Sequence, residues 1–444
     1  MIGLDCADPR LVFDRWREDL PTFSRLMREG MYGPLRSCEP PITVPAWSVM
    51  LSGRDPGELG IYGFRNRADY SYERMRIATA LDIPHPRAWD LLGEQGLRSV
   101  VVGVPQTYPV KPINGWLVSS FLTPPGARQW TYPASLAGEI SQVLGGEPYE
   151  FDVADFRTED KDRLLESLYR MTEKRFRVLH HLLGKPWDFF MFVEIGVDRI
   201  HHGLWKYMDP THPKHVPGNP YQNAIHDYYV YLDREIGRLL DRLDGQTRVL
   251  VVSDHGAQPM MGGFAINEWL IREGYLVLKE YPDRPTPFIK AEVDWSRTVA
   301  WGSGGYYARV HLNVRGREPQ GIVDPADYEW VRDELKAKLE ATVDHRGRPL
   351  GTVVRKPQEI YREVRNIPPD LIVYLGNLAW RSVGSVGLGR VHTFENDTGP
   401  DDANHDWDGI FIAWDPRERW GGRKVQGLEI RDVLGEILAY LMPP

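Results

Sequence analysis

Apolar runs of four to seven residues punctuate this chain, and several stop abruptly at an acid or an imidazole. Val251-Val252-Ser253 leads into Asp254-His255-Gly256, and Phe189-Phe190-Met191-Phe192-Val193-Glu194-Ile195 runs on to Asp198 and His202. The short Met1-Ile2-Gly3-Leu4 stops at Asp5. Further strands are expected over Ser99 to Val104, Trp116 to Ser120, Asp188 to Ile195, Thr247 to Ser253, Asp370 to Leu375 and Gly409 to Trp414. Most are unbroken Val/Ile/Phe runs, as when both faces of a strand are covered. Apolar residues at helical spacing (Leu164, Leu165, Leu168, Met171, Phe176, Leu179, Leu183) predict a helix over Lys161 to Leu183. Tyr221 to Leu243 and Glu429 to Leu441 read the same way. This alternation predicts an α/β fold with a mostly parallel central sheet flanked by helices.

Two stretches read as insertions. Arg54 to Pro133 is rich in Gly, Pro, Arg and Tyr, with little periodicity beyond its two strands. Residues 260–365 hold a separate strand (Tyr307 to Asn313), a charged helix (Pro325 to Leu339) and turn chemistry in Asp344-His345-Arg346-Gly347-Arg348-Pro349, the pattern of an inserted subdomain over the sheet. The whole of 1–444 is read as a single domain that carries this insertion.

Composition narrows the classes. No apolar run reaches the ~18 residues needed to span a bilayer. The formal charge of −8 argues against binding duplex nucleic acid, while leaving room for a small anionic substrate beside bound cations. Two cysteines, Cys6 and Cys38, exclude a disulfide framework and point to a reducing compartment, the cytoplasm. No secretory leader precedes the first strand. That strand is short for a sheet centre, which leaves room for a native start upstream of Met1.

The acids and imidazoles carry the chemistry. Parallel strands end where open α/β sheets form their ligand crevice. Asp198 and His202 stand i, i+4, so one helical turn points both at one ion, and His405, in Asn404-His405-Asp406, can complete that site. Asp254 and His255 can address a second ion if the backbone bends at Gly256, with Asp5 as a further ligand. Singly, each has a plainer role, as a helix N-cap or a hydrogen-bonded histidine. Their joint occurrence at successive strand ends favours a two-metal site, the usual clamp for displacement at phosphorus. His201 faces elsewhere on the same helix, and the other histidines lack such a setting.

Thr43 lies in Pro40-Pro41-Ile42-Thr43-Val44-Pro45, ahead of an apolar helix. The plain reading makes it the N-cap. The functional reading puts its hydroxyl in the positive field of a helix N-terminus, where a nearby cation would activate it as a nucleophile.

Together these residues resemble the alkaline phosphatase superfamily, in particular its type I phosphodiesterase/nucleotide pyrophosphatase branch. Thr43-x-Pro45, Ser52-Gly53, Pro56 and Gly60-Ile61 resemble its nucleophile segment, and Asp198-x-x-x-His202, Asp254-His255-Gly256 and His405 follow in the family's order. The resemblance implies an alkaline phosphatase-like catalytic domain with two Zn2+ ions. Asp198, His202 and His405 would hold one, and Asp5, Asp254 and His255 the other, with Thr43 bridging toward it. It further implies a covalent phosphothreonine at Thr43. Asn66 would be the phosphate-binding asparagine, at a spacing two residues longer than the branch keeps. Asn267-Glu268-Trp269-Leu270 and Asn313-Val314-Arg315-Gly316-Arg317 look like segments of a prokaryotic subgroup of phosphohydrolases or phosphomutases.

The expected activity is hydrolysis of a small phosphorylated substrate, a phosphodiester or pyrophosphate. A phosphomutase or phosphomonoesterase using the same site is the alternative, and a non-catalytic binding module is disfavoured by the full ligand set. Arg54, Arg65, Arg67 and Arg309 are candidate anion contacts. Substrate identity and oligomeric state are not written in these motifs.

Overall fold

The computed structural model describes residues 1–442. Among them, a ten-stranded sheet forms the spine. Its middle is five parallel strands in the spatial order Val249–Val252, Ile2–Leu4, Phe189–Glu194, Ser99–Val102 and Gly115–Val118. Asp408–Trp414 continues the sheet antiparallel to Val249–Val252 and pairs in turn with Met31–Arg36. Two-residue strands finish both sides: Arg423–Lys424 and Leu428–Glu429 beside Met31–Arg36, and Thr131–Tyr132 beside Gly115–Val118.

The period-2 alternation of strand side chains divides the core in two. Ile2, Leu4, Val100, Val102, Phe190, Phe192 and Val251 face one cluster, closed by helices Pro21–Glu29, Lys161–Leu182, Gly196–Met208 and Ala224–Leu240. Val101, Met191, Val193, Leu250 and Val252 face the other, under Thr43–Ser52, Ala88–Glu94 and Val433–Leu441. Unbroken apolar strands are needed because helices cover both faces.

A second lobe has its own core. It holds a four-stranded sheet in the order Ala300–Ser303, Ala308–Leu312, Leu371–Tyr374 and Val353–Arg355, beside a three-stranded sheet of Trp380–Val383, Gly262–Ala265 and His392–Thr393. Asp370 to Leu375 was expected in the central sheet; Leu371–Tyr374 instead pairs antiparallel with Ala308–Leu312 and Val353–Arg355. A short apolar run marks a strand buried on both faces but not which sheet buries it. Gly409 to Trp414 does join the central sheet, though antiparallel. The Arg54 to Pro133 region supplies two of the five parallel strands as well as a hairpin, Arg65–Arg67 with Met75–Ile77. No helix among the described residues is long and apolar enough to cross a membrane.

Candidate active site

The carboxyl ends of three neighbouring parallel strands deliver the first acids. Asp5 directly follows Ile2–Leu4, and its amide donates to the Glu194 carbonyl at 3.1 Å, carrying the ladder one residue further. The chain then turns at Cys6, whose left-handed backbone (φ 66°) aims its amide at Asp254 Oδ1, 3.1 Å away. After Phe189–Glu194 the chain enters helix Gly196–Met208, with Glu194 Oε1 accepting from Gly196 N at 2.9 Å; the first turns of this helix carry Asp198 and His202.

Asp254 and His255 leave the third strand. Gly256 then opens strand Gly256–Pro259, which pairs antiparallel with Ala403–Asp406 so that Ala257 lies opposite His405. A side chain at Gly256 would meet the Asp408 carbonyl at 2.3 Å, so close approach of two backbones requires this glycine. The same pairing carries His405 to the strand ends.

Among the described residues, two groups could each hold a cation: Asp198, His202 and His405, and Asp5, Asp254 and His255. Within each, the ligand atoms lie within 4.8 Å of one another, and all six side chains are buried. His202 Nε2 is 3.2 Å and His405 Nε2 3.7 Å from Asp198 Oδ1; His255 Nε2 is 3.1 Å from Asp254 Oδ2 and 3.8 Å from Asp5 Oδ1. The His255 and His405 rings stack at 3.8 Å, setting the groups side by side.

Each imidazole is fixed from behind by Nδ1: His202 on Asp401 Oδ1 (2.7 Å), His405 on the Pro41 carbonyl (2.8 Å) and His255 on the Gly256 carbonyl (3.1 Å). All three therefore turn Nε2 to the centre, the tautomer that ligates a cation. Asp198 Oδ1, His202 Nε2, Asp254 Oδ2 and His405 Nε2 are buried without a hydrogen-bond partner. Buried polar atoms are normally satisfied, and divalent cations would satisfy all four. An oxygen and nitrogen donor set of this kind suits Zn2+.

The electrostatics agree. Burial raises the Asp5 carboxyl well above its usual range, and Asp254 and Asp198 push it further. Burial opposes charge on His255 and His202, yet Asp254 on the one and Asp401 with Asp198 on the other hold each up at about 9. Burial and the neighbouring His255 drive His405 well below the ordinary imidazole value.

Thr43 Oγ1 lies 3.4 Å from Asp5 Oδ1 and 3.3 Å from His255 Nε2. It is the first residue of helix Thr43–Ser52; Ile42 holds the N-cap position, and no side chain caps that end. The hydroxyl is therefore not spent as a cap. One turn on, Trp47 Nε1 donates to Asp5 Oδ2 at 2.7 Å, tying helix to strand.

Among the described residues, no hydrogen bond joins Asn66 to these two groups. Its Oδ1 accepts from Tyr62 N (2.8 Å) and its Nδ2 donates to the Gly63 carbonyl (2.9 Å), so the amide closes its own loop. Arg67 is buried against Glu318 at 3.0 Å, Arg54 pairs with Glu58, and Arg309 donates to the Arg65 carbonyl. Sequence reasoning missed Asp401, Arg199 and Trp47. Arg199 fixes the second oxygen of Asp198 (2.5 Å) while it grips Asp152 through Nε and Nη2. Only Trp47 left a signal, its i+4 spacing from Thr43.

Solved structures share this architecture. Phosphonoacetate hydrolase from Sinorhizobium meliloti 1021, in complex with phosphonoformate, matches with a TM-score of 0.63 at 15% identity, covering 99% of this chain and 94% of that one. Human ectonucleotide pyrophosphatase/phosphodiesterase 5 matches with a TM-score of 0.56 at 14% identity, and its murine counterpart with 0.54 at 14%, both over 99% of this chain and 94% of theirs. At such identities the likeness is one of fold. No curated protein matches by sequence. The family profile described as type I phosphodiesterase/nucleotide pyrophosphatase matches residues 1–401, a span that holds Thr43 and every candidate ligand except His405. On that match the chain belongs to the type I phosphodiesterase/nucleotide pyrophosphatase family, whose members are phosphoric ester hydrolases.

Proposed function

We propose that the protein is a two-zinc phosphodiesterase or pyrophosphatase working through a covalent phosphothreonine at Thr43. Asp198, His202 and His405 would hold one Zn2+, and Asp5, Asp254 and His255 the other. The cations supply Lewis acidity, lowering the pKa of a neighbouring hydroxyl and neutralising charge on a transferring phosphoryl group. Thr43 Oγ1 attacks phosphorus, the ester bond to the leaving alcohol or phosphate breaks, and water then cleaves the phosphothreonine. The helix N-terminus beneath Thr43 favours the anionic group throughout.

The observation that carries this reading is the position of Thr43 Oγ1, uncommitted as a cap and within 3.4 Å of Asp5 and His255. A small phosphorylated substrate is the partner this site suits. The unpaired thiols of Cys6 and Cys38 favour a cytoplasmic setting.

The test is turnover of zinc-loaded protein on bis(p-nitrophenyl) phosphate, p-nitrophenyl phosphate, a dinucleoside pyrophosphate and a phosphosugar, with acid-quench mass spectrometry of the Thr43 peptide. Thr43→Ala is expected to lose at least roughly 10³-fold in turnover, the scale of removing a covalent nucleophile, while still binding both cations. Retained turnover in that variant overturns the nucleophile assignment. Preference for the monoester makes the enzyme a phosphomonoesterase, and transfer to a second sugar hydroxyl makes it a phosphomutase.

A further inference from the structure

We infer that Asp401 is a positioning residue for the first cation: it fixes the tautomer and ring plane of His202 and ties that ligand to the second lobe. This rests on the two-cation reading of the site.

The other two ligand imidazoles lean on neutral backbone carbonyls, of Pro41 and Gly256. His202 alone of the three leans on a carboxylate, Nδ1 donating to Asp401 Oδ1 at 2.7 Å. An ionic acceptor makes a stronger bond than a carbonyl and raises the donor strength of the opposite ring nitrogen. Asp401 is itself fully buried and held from three sides. Its Oδ2 accepts from Arg157 Nε at 2.9 Å and from the Tyr306 hydroxyl at 3.3 Å, and Arg381 Nη1 stands 3.6 Å away. A buried carboxylate survives as an anion only with such partners.

Those partners come from different parts of the molecule. Arg157 precedes helix Lys161–Leu182. Tyr306 lies between strands Ala300–Ser303 and Ala308–Leu312, and Arg381 is in Trp380–Val383, both in the second lobe. The Tyr306 ring stacks on His202 (4.8 Å, 18°) and lies against His405 (4.4 Å), while its hydroxyl binds Arg157 at 2.5 Å as well as Asp401. The amide of Asp402 donates to the His202 carbonyl at 2.8 Å, so the segment that delivers His405 also clips the His202 helix. Among the described residues, the histidine of the second group leans on no carboxylate through Nδ1: it rests on the carbonyl of its own chain neighbour. Seating of the second lobe therefore reaches the first cation through a direct carboxylate–imidazole bond, which the second lacks.

The experiment is stepwise zinc titration of metal-free protein against a chromogenic chelator, with 15N spectra of the histidine side chains. In the wild type, two cations bind and His202 carries its proton on Nδ1. Asp401→Asn, which keeps the shape but also offers an amide donor to Nδ1, is expected to weaken one binding step roughly 10- to 100-fold. The other step stays unchanged, and the His202 signal alone shifts. Tyr306→Phe, which removes one hydroxyl and leaves the stacked ring, weakens the same step by a smaller factor. Two unaltered affinities in Asp401→Asn overturn the inference while leaving the two-cation reading intact. So does equal weakening of both steps with a lowered Tm, which is what a merely structural role predicts. Wild-type protein that takes up no zinc removes the two-cation reading and this inference with it. Thr43→Ala, expected to keep the wild-type affinity for the first cation, keeps this test separate from the nucleophile assignment.

Discussion

Substituting Gly3 with alanine is expected to damage the proposed catalytic centre without touching a proposed ligand. Gly3 is the middle residue of Ile2–Leu4, the strand seated between Phe189–Glu194 and Val249–Val252. Its neighbours Ile2 and Leu4 point into one core cluster, so Gly3 faces the other, where helix Thr43–Ser52 lies on the sheet. A Cβ at this position would sit 2.6 Å from Cη2 of Trp47, 2.9 Å from Cγ2 of Val193 and 3.1 Å from the Phe192 carbonyl. Carbon atoms rest at about 3.5–4.0 Å, so the indole has to retreat by on the order of 1 Å. Trp47 is wholly buried and tied to Asp5 by the 2.7 Å bond from its indole nitrogen, so it cannot swing aside freely. Either that bond breaks or the helix moves, and the helix carries Thr43.

Overpacking of this kind costs about 1–3 kcal/mol, and a nucleophile displaced by about 1 Å costs on the order of 10²-fold in rate. Urea unfolding should show a lower midpoint at unchanged m, and zinc-loaded Gly3→Ala should lose kcat with little change in KM. Trp47→Phe is the companion, since it shortens the clashing ring but gives up the bond to Asp5. In the double variant the clash is relieved, so its loss of stability should fall short of the sum of the two single losses by more than about 0.5 kcal/mol. Strict additivity, or a Gly3→Ala protein with wild-type midpoint and kcat, refutes the argument that glycine is there to seat the helix.

Two further outcomes follow from the same structure. Asn66→Ala should lower stability by about 1–3 kcal/mol, the cost of leaving buried loop partners unsatisfied, and leave KM within about twofold; a large rise in KM at unchanged stability would show the amide contacting substrate. His311 is driven down to about 3, first by burial and then by Arg67, so the unfolded chain binds its proton in a range where the folded protein does not. The stability it contributes is complete above pH 6.5 and is lost progressively as pH falls toward about 3, at about 1.4 kcal/mol per pH unit. Urea midpoints at pH 7 and pH 5 should therefore converge in His311→Gln; equal slopes in variant and wild type would mean that the buried imidazole is not responsible.

How much of this centre can be read from the chain follows from how each ligand reaches it. Asp5, Asp198 and Asp254 leave, within four residues, strands that lie side by side, so apolar runs ending in an acid suffice to place them together. Parallel order does the rest, because it brings all three ends to one edge of the sheet. His202 is legible through its helical spacing from Asp198. His405 is different: it arrives by the pairing of Ala257 with its own backbone, a register between segments 148 residues apart in numbering that no local pattern states. Its residue type made it a candidate to complete the site, and only resemblance and chain order singled it out.

Asp401, Arg199 and Tyr306 lie further still from local pattern. Asp401 gains meaning from partners on two lobes, and a buried Asp beside another Asp looks in sequence like any acidic turn. The same logic explains the placing of Asp370 to Leu375, where composition fixes burial but not the partner strand. Asn66 shows the limit from the other side. A residue type expected near a motif is present, and its amide bonds Tyr62 and Gly63, contacts that the motif does not state. Distance along the chain is informative here only where a strand end or a helical turn converts it into a direction. The residues proposed to tune cations there, rather than hold them, are set by contacts between segments with no such rule.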